Sequence, residues 1–288
     1  MDQLSASGWP APAKINWFLH VVGKRSDGYH LLQTVFQFLD YGDSMTFAVN
    51  DTGQITRSYD FGFTEDVDIC LRAARLLQGR ADAKPGVEIG LEKCLPMGGG
   101  LGGGSSNAAT TLLALNHLWG TGLSREQLAR LGLQLGADVP VFIMGQAAWA
   151  EGVGEILTPI ELAEKWLLVV TPQRPVSTAD IFAHKHLTAR PQMKKIRALE
   201  QGETTLFGEN QLQDLVCADY PEVKAVLEWL SEFGPARMSG SGGSVFLPLL
   251  SRQQGLELLQ QKPVNTSAFV ARGLNQHPLF DPLNWPQE

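Results

Sequence analysis

The fold is decided by the stretch Pro96–Ala109, PMGGGLGGGSSNAA, in which six glycines precede two serines. An apolar helical pattern over Ser105–Trp119 follows directly and stops at Gly120. Because glycine has no Cβ, consecutive backbone N–H groups can turn toward a ligand at close range. A loop that opens a helix adds unpaired N–H donors and the positive end of the helix dipole. We therefore predict that this loop binds an anion such as phosphate.

Other glycine motifs fit the stretch less well. No Walker A sequence occurs, and no G-x-S-x-G occurs, so neither a P-loop nor a nucleophile elbow is supported. Gly98, Gly100 and Gly103 satisfy G-x-G-x-x-G, which is a weak match in so glycine-rich a segment. A dinucleotide fold also requires a strand before the loop and an acidic residue about twenty positions after it. Lys93–Pro96 precede the loop, and no acidic residue occurs before Glu126, so a dehydrogenase is disfavoured.

The composition of the chain narrows its class. Of 288 residues, 44% are hydrophobic and 18% are charged, which is typical of a globular protein. The net charge of -7 argues against binding to nucleic acid or to an anionic membrane. The N-terminus has no signal-peptide pattern, and the apolar run Trp166–Val170 is too short to span a bilayer. We expect a cytoplasmic protein without membrane or nucleic-acid partners.

The pattern along the chain mixes helices and strands without a strict β-α-β rhythm, which predicts an α+β fold with a division near residues 150–165. Strands are predicted over Lys14–Val22, Met45–Val49, Val87–Leu91, Val139–Met144, Trp166–Thr171 and Ala268–Arg272, and two short strands flank Gly240–Gly243. Helices are predicted over Asp66–Gln78, Ser105–Trp119, Ser124 to about Gly136, Pro221–Phe233 and Arg252–Gln261.

The glycine stretch resembles the phosphate loop of the GHMP kinases, the superfamily of galactokinase, homoserine kinase and the mevalonate kinases. Three elements stand in the order of that superfamily: a strand carrying Lys14, the glycine loop, and the turn Ser239–Gly243, SGSGG. The turn alone is equally consistent with an ordinary tight turn. The resemblance implies a nucleotide-binding N-terminal domain over residues 1–155, a ferredoxin-like C-terminal domain over residues 156–288, and an active site between them.

Two further blocks are similar to one branch of this superfamily, which phosphorylates a cytidine-diphosphate-linked methylerythritol. They are Pro12–Asp43 and Gly136–Phe142, GADVPVF. The chain departs from that branch at Gly99, where alanine is frequent, and at Ser244, where cysteine or another small residue is common. The resemblance implies transfer of phosphate from ATP to the 2-hydroxyl of that acceptor, a step in the non-mevalonate route to isoprenoid precursors.

The resemblance also implies roles for individual residues. Asp138 would take the proton of the hydroxyl, while Lys14 would keep that carboxylate ionised and attract the γ-phosphate. Asn16 would bind the methylerythritol part. Lys14 and Asp138 are each expected at the edge of an apolar strand. From the sequence without the resemblance, a purely structural ion pair between Lys14 and Asp138 is an equally good interpretation.

The cytosine is expected to contact aromatic side chains, because a nucleobase stacks on aromatic rings. Tyr29 and His30 follow the turn signal Asp27-Gly28, which predicts that they lie on a loop, with Phe182 on the opposite side of the base. Phe36 would line the same pocket, although packing in the core is an alternative for it.

ATP phosphates would lie on the glycine loop, and Mg²⁺ is expected because it neutralises phosphate oxygens. No carboxylate cage for the metal is found in the sequence, so phosphates, water and a loop serine would hold it. The turn with Gly240, Ser241, Gly242 and Gly243 would support the loop. The predicted ATP-binding residues are Pro96, Gly98, Gly99, Gly100, Leu101, Gly102, Gly103, Gly104, Ser105 and Ser106.

Two other functions stay open from the sequence. Another GHMP kinase, acting on a different small alcohol, would not require Tyr29, His30 and Phe182. A non-catalytic nucleotide-binding relative would be expected to have lost Lys14 or Asp138, and both are present. The sequence does not distinguish a monomer from a homodimer.

Overall fold

The computed structural model describes residues 8–81, 84–189 and 209–280. Ten strands within these ranges belong to one hydrogen-bonded sheet system. They are β1 (Trp9–Lys24), β2 (His30–Asn50), β3 (Ile55–Arg57), β4 (Gly86–Glu92), β5 (Ala148–Glu151), β6 (Ile156–Pro159), β7 (Trp166–Pro172), β8 (Arg237–Met238), β9 (Val245–Leu249) and β10 (Thr266–Leu274).

Eight α-helices occur in the same ranges, and the mixture confirms the predicted α+β class. They are α1 (Ile69–Gln78), α2 (Gly103–Leu118), α3 (Arg125–Leu133), α4 (Val139–Met144), α5 (Thr178–Phe182), α6 (Gln213–Asp219), α7 (Pro221–Ser231) and α8 (Arg252–Leu259), followed by a 3₁₀ turn at Pro278–Phe280. None of the helices in the described part of the chain is long and apolar enough to cross a membrane.

Strand β2 is the centre of the sheet. Its 21 residues pair in antiparallel fashion with β1, β4, β5 and β10. The strand order runs β3-β4-β2-β10-β7-β9-β8, and β1 and the β5–β6 hairpin attach to it away from this path. Because one strand contacts both the first and the second half of the chain, β2 connects the two parts of the molecule.

The pairing of β1 with β2 determines which β1 side chains reach the middle of the molecule. Lys14 lies opposite Phe38 and Asn16 lies opposite Phe36, and the register shifts on either side of this pair. Since side chains on a strand alternate between faces, residues two apart such as Lys14 and Asn16 lie on the same face. The irregularities, which are typical of β-bulges, end the regular ladder next to these two residues.

The hydrophobic core has two large parts joined by a smaller one. One part surrounds the buried face of α2 and includes Leu112 and Phe142. The other lies between β7, β9 and α7 and includes Val170 and Leu230. A third cluster joins residues from both halves of the chain, among them Ile15, Leu39, Leu101, Leu167, Val169 and Phe246.

The sequence predicted most of these elements within a few residues. Strands β3, β5 and β6 and helices α5 and α6 were not predicted, only Met45–Val49 of β2 was, and Val139–Met144, predicted as a strand, is the helix α4. Proline stands in its first turn, and Gly145 follows in the left-handed conformation that commonly ends helices. The predicted division after residue 155 falls in the turn between β5 and β6, which pair with each other, and the division itself stays a prediction.

Candidate active site

In the glycine loop, defined here as Pro96–Ser106, every second residue from 98 to 102 has a positive φ. Gly98, Gly100 and Gly102 have φ values of 69°, 75° and 72°, a region that favours glycine. Helix α2 begins at Gly103, and no side chain in the described part of the chain caps its N-terminus. The first N–H groups of this helix therefore face the loop without side-chain partners, as an anion site requires.

The C-terminal turn Ser239–Gly243 packs directly on the glycine loop. The N–H of Gly243 donates to the carbonyl of Gly98 at 3.4 Å, and the N–H of Ser244 donates to that of Gly99 at 3.0 Å. A Cβ on Gly242 would lie only 2.0 Å from the nitrogen of Gly100. The two backbones are thus in contact, which is the arrangement expected of a turn that supports the loop.

Lys14 and Asp138 meet beside the loop. The Nζ of Lys14 lies 3.2 Å from Oδ2 of Asp138 and donates to the carbonyl of Gly100 at 3.1 Å. It also donates to Oδ1 of Asn16 at 2.7 Å. The Lys14 side chain is 3% exposed, whereas that of Asp138 is 33% exposed. The ammonium is therefore held by three oxygens, while the carboxylate remains accessible to a substrate.

The orientation of Asn16 follows from its partners. Its Nδ2 donates to Oγ1 of Thr34 at 2.8 Å, and the Thr34 hydroxyl in turn donates to the carbonyl of Phe18. Because Thr34 fixes the amide nitrogen on one side, the amide oxygen faces Lys14. Among the described residues Nδ2 of Asn16 donates only to Thr34, which leaves its second N–H for a ligand.

The sequence analysis expected Asp138 at the edge of a strand, and the structure does not place it there. It immediately precedes α4, and its carboxylate does not cap that helix. The segment Gly136–Phe142 instead follows the end of α3, forms a turn, and contains the first residues of the short buried helix α4. Lys14 does lie within a strand, β1, so the two charges come from different kinds of element.

A cleft of about 660 Å³ joins these groups. Two sets of apolar side chains border it: Leu19, Leu32 and Phe182 in one, and Tyr59, Phe61, Phe63 and Met97 in the other. Most of the residues predicted from the sequence line it, namely Lys14, Asn16, Phe36, Pro96, residues 98–105, Asp138, Phe182, Gly240 and Ser241. The predicted loop and ion pair therefore border one common space.

Tyr29 and His30 do not line the cleft itself. Tyr29 is 61% exposed, and the ring of His30, the first residue of β2, stacks on that of Phe182 with centroids 5.7 Å apart. Burial, with a smaller contribution from the charge of Lys24, lowers the pKa of His30. His30 is therefore neutral at pH 7, and its ring offers one donor and one acceptor.

Three predicted residues lie behind the surface of the cleft. Gly242 and Gly243 contact the back of the loop, as described above. Ser106 is fully buried, its N–H donates to the carbonyl of Gly102 at 2.8 Å, and its Oγ has no partner among the described residues. Of the two loop serines, it is Ser105 that borders the cleft.

Sequence analysis did not assign a role to two polar residues at this site, Thr34 and Ser239. Thr34 orients Asn16, and the Oγ of Ser239 accepts from the N–H of Asn16 at 3.2 Å and donates to the carbonyl of Gly100 at 3.1 Å. Both are small hydroxyl residues with no charge to mark them. The available signal was the position of Ser239 at the start of the glycine turn.

Comparison with known proteins identifies the family. The model of the GHMP kinase N-terminal domain matches residues 68–146, and that of the GHMP kinase C-terminal domain matches residues 195–261. The 4-diphosphocytidyl-2-C-methyl-D-erythritol kinase of Nitrosococcus oceani is 52% identical over 96% of this chain and 97% of that protein. This chain belongs to the 4-diphosphocytidyl-2-C-methyl-D-erythritol kinases, within the GHMP kinase superfamily.

Further relatives agree. The 4-diphosphocytidyl-2-C-methyl-D-erythritol kinase of Thiobacillus denitrificans is 51% identical over 96% of this chain and 98% of that protein. A crystal structure of a 4-(cytidine 5'-diphospho)-2C-methyl-D-erythritol kinase, 32% identical, aligns with a TM-score of 0.73 over 92% of this chain and 98% of that one. A mevalonate kinase structure at 16% identity and a TM-score of 0.67, over 92% of this chain and 98% of that one, shares the fold. The predicted GHMP kinase fold is confirmed, and the chain is an ATP-dependent small-molecule kinase.

Proposed function

We propose that this kinase transfers the γ-phosphate of ATP to the 2-hydroxyl of 4-diphosphocytidyl-2-C-methyl-D-erythritol, giving the 2-phosphate and ADP. This reaction is a step of the non-mevalonate route to isoprenoid precursors. The observation that carries the proposal is the 3.2 Å contact of Lys14 with Asp138 beside the glycine loop, in a cleft that also reaches Phe182. Relatives that share about half of its residues carry the name of this activity.

Each group has a distinct task in the proposed reaction. Asp138 accepts the proton of the substrate hydroxyl as the oxygen attacks the γ-phosphorus and the bond to the leaving ADP breaks. Lys14 places a positive charge beside Asp138 and reduces the repulsion between its carboxylate and the γ-phosphate. The N–H groups at the start of α2 bind the phosphates of ATP, and their positions do not change during the reaction.

The acceptor is bound along the cleft from Lys14 to Phe182. The remaining N–H of Asn16 donates to the methylerythritol part, next to the reacting hydroxyl. The cytosine ring would extend past the Phe182 end of the cleft, where the His30 ring stacks on Phe182, and would contact Phe182, the exposed Tyr29 ring and the edge of neutral His30. Phe36 lines the cleft at the reacting end and not at the cytosine end, since Nζ of Lys14 lies 5.3 Å from the centroid of its ring.

Mg²⁺ would arrive with ATP. In the described part of the chain no group of three or more His, Cys, Asp or Glu side chains could hold a metal ion. The oxygen donors that border the cleft near the loop include the Ser105 hydroxyl and the Asp138 carboxylate, and Mg²⁺ would be bound mainly through phosphates and water. The ion would neutralise the charge on the β- and γ-phosphates. A cytoplasmic location stays a prediction of the sequence.

The test is an assay of ADP release with 4-diphosphocytidyl-2-C-methyl-D-erythritol, homoserine, mevalonate and galactose as acceptors. We expect kcat/KM for the cytidyl compound to exceed that for the other three by at least a hundredfold. Phosphorus NMR of the product should locate the new phosphate on the 2-oxygen. Preferential turnover of a rival alcohol would refute the proposed substrate, and a phosphate on another oxygen would refute the proposed position.

A further inference from the structure

Asp43 is a buried charge that the proposed reaction does not use. Its side chain is 0% exposed, and it lies near the middle of β2, on the strand that joins the two halves of the molecule. A carboxylate removed from water is costly unless its oxygens are fully paired. The four donors that satisfy Asp43 all belong to one region of the molecule.

In the sequence, these donors come immediately before and immediately after the glycine loop. Oδ1 of Asp43 accepts from the N–H groups of Cys94 and Leu95, both at 2.8 Å. Oδ2 accepts from Nδ2 of Asn107 at 2.9 Å and from Nζ of Lys93. Lys93, Cys94 and Leu95 precede the loop, and Asn107 follows it in the first turns of α2. One carboxylate thus binds the chain where it enters the loop and where it leaves it.

The anchoring matters because glycines make up most of the loop, and the contacts with the Ser239–Gly243 turn hold its middle and not its two ends. Six of its residues are glycines, which lose more conformational freedom on ordering than other residues. The phosphate site depends on N–H groups that already point in the right direction, since ordering the loop on binding would weaken affinity for ATP. Fixing both ends reduces the number of conformations available to the segment between them.

We propose that Asp43 is a positioning residue that preorganises the glycine loop for ATP, by clamping its two ends through Lys93, Cys94, Leu95 and Asn107. The inference rests on the proposed function only in taking ATP as the ligand of the loop. It concerns the binding of the phosphate donor, so the affinity for the acceptor should be independent of Asp43.

The decisive variant is Asp43→Asn, which keeps the size of the side chain. Its amide oxygen can still accept from one end of the loop, but the amide NH₂ cannot accept from Lys93 or Asn107. Removing a negative charge close to the phosphates would by itself tighten ATP binding. Weaker binding therefore reports lost positioning, because the electrostatic effect has the opposite sign.

We expect calorimetric titration without acceptor to give a Kd for ATP at least tenfold higher in Asp43→Asn than in the original protein. The Kd for the cytidyl acceptor should change less than twofold. Asp40→Asn is the matched control, because Asp40 is an exposed aspartate on the same strand that accepts from the N–H of Arg272 at 2.6 Å. It should leave the Kd for ATP within twofold.

Asn107→Ala tests the same clamp from the other end, and keeps the inference testable if Asp43→Asn does not fold. It removes the bond between Asn107 and Asp43, and we expect a threefold to tenfold rise in the Kd for ATP. An unchanged or lower Kd for ATP in a folded variant, or an equal loss of affinity for both substrates, would overturn the inference. If the original protein binds ATP but does not phosphorylate the cytidyl compound, the proposed function fails and the inference about Asp43 stands.

Discussion

Lys14 illustrates how single residues mark this site. A lysine is seldom almost fully buried, because its ammonium loses its water. Here Asp138, Asn16 and the carbonyl of Gly100 replace that water. A salt bridge on the surface contributes little to stability. Burying one partner, as Lys14 is buried here, adds the cost of removing its charge from water. The arrangement is therefore better explained by chemistry than by stability.

The change Asp138→Asn tests the general base. The amide keeps the shape of the side chain but does not accept a proton, and general-base catalysis typically contributes about 10²- to 10⁴-fold to the rate. We expect kcat to fall by a factor in this range while the KM for ATP stays within about threefold. Asp180→Asn, an exposed aspartate on α5, serves as the control and should retain full activity. Near-normal kcat in Asp138→Asn would exclude the proposed role.

His277 is a second buried titratable residue, and it lies outside the cleft. Its Nδ1 accepts from the N–H of Leu279 at 3.1 Å, and its ring packs edge-on against that of Phe38. Burial, reinforced by the nearby charge of Arg125, lowers the pKa of His277 to about 3. The unfolded chain has the ordinary value of about 6.5. Between these values protons bind preferentially to the unfolded state, so stability falls as the pH falls below about 6.5.

This difference predicts a pH-dependent free energy of unfolding. From pH 7.5 to pH 5.5 the contribution of His277 should fall by about 1.4 kcal/mol. We expect denaturant unfolding of His277→Asn to lack this part of the decrease, since asparagine keeps an acceptor for Leu279 and has no proton to gain. His186→Asn, at an exposed position, is the control. Equal pH slopes in His277→Asn and the original protein would contradict the prediction.

At the scale of elements, the glycine loop and the C-terminal turn form one unit. Gly100 has a φ of 75°, and a Cβ there would lie 2.2 Å from the carbonyl oxygen of Ser239. The movement of a flexible side chain cannot relieve the left-handed φ of Gly100. It cannot relieve the contact with Ser239 either, because the carbonyl oxygen belongs to the backbone. The shape of the phosphate site is therefore determined by residues separated by more than a hundred positions in the sequence.

We expect Gly100→Ala to fold with a displaced loop and to lose at least tenfold in kcat/KM for ATP. The left-handed conformation alone costs a non-glycine residue about 1–2 kcal/mol, and the contact with Ser239 adds to it. Gly79→Ala is the control: Gly79 ends α1, and a Cβ there would have its nearest neighbour at 3.7 Å. Unchanged ATP kinetics in Gly100→Ala would contradict the close packing of loop and turn.

The sequence predicted the elements with strong local signals and missed those determined by distant contacts. The capping box at Ser124 and Gln127 is present as predicted. Only Met45–Val49 of β2 was predicted, because Gln33, Thr34 and Gln37 are buried polar residues that break the apolar pattern. Their partners, such as Trp17 for Gln37, are not identifiable from local sequence. Helix α4 was mistaken for a strand because a short apolar run has no clear period.

The same distinction holds for the site. Lys14, Asn16 and Asp138 were predicted from the family resemblance, and in the structure they border one cleft. Asp43 was not predicted, although its carboxylate accepts four hydrogen bonds from residues on either side of the loop. Its donors lie 50 to 64 positions further along the chain, and nothing in the local pattern YGD distinguishes it from a turn residue.

On the scale of the whole molecule, the third hydrophobic cluster connects the two halves. Phe246 on β9 is fully buried in it and contacts Trp17 on β1 edge-on, with ring centroids 5.5 Å apart. The pairing of β10 with β2 runs through the same region, at Gly273–Leu39 and Leu274–Phe38. Because a shared core couples the two halves, we expect them to unfold together.

Phe246→Ala tests this coupling. Loss of a buried phenylalanine typically costs about 3–5 kcal/mol. Scanning calorimetry should give a single transition for the original protein, and the variant should move that transition as a whole to lower temperature. Phe233→Ala, at a partly exposed position on the surface, should have a much smaller effect. Two separate transitions, with only one affected by the change, would contradict the coupling.

The irregular register of β1 has a consequence for how this protein can vary in length. Lys14 and Asn16 owe their common direction to a spacing of two residues between two register shifts. One residue inserted or deleted between them would turn one of these side chains to the far side of the sheet. Length changes should therefore be tolerated in the exposed turn at residues 25–28 and excluded from residues 12–19, which gives directed-evolution libraries a simple rule about where to place them.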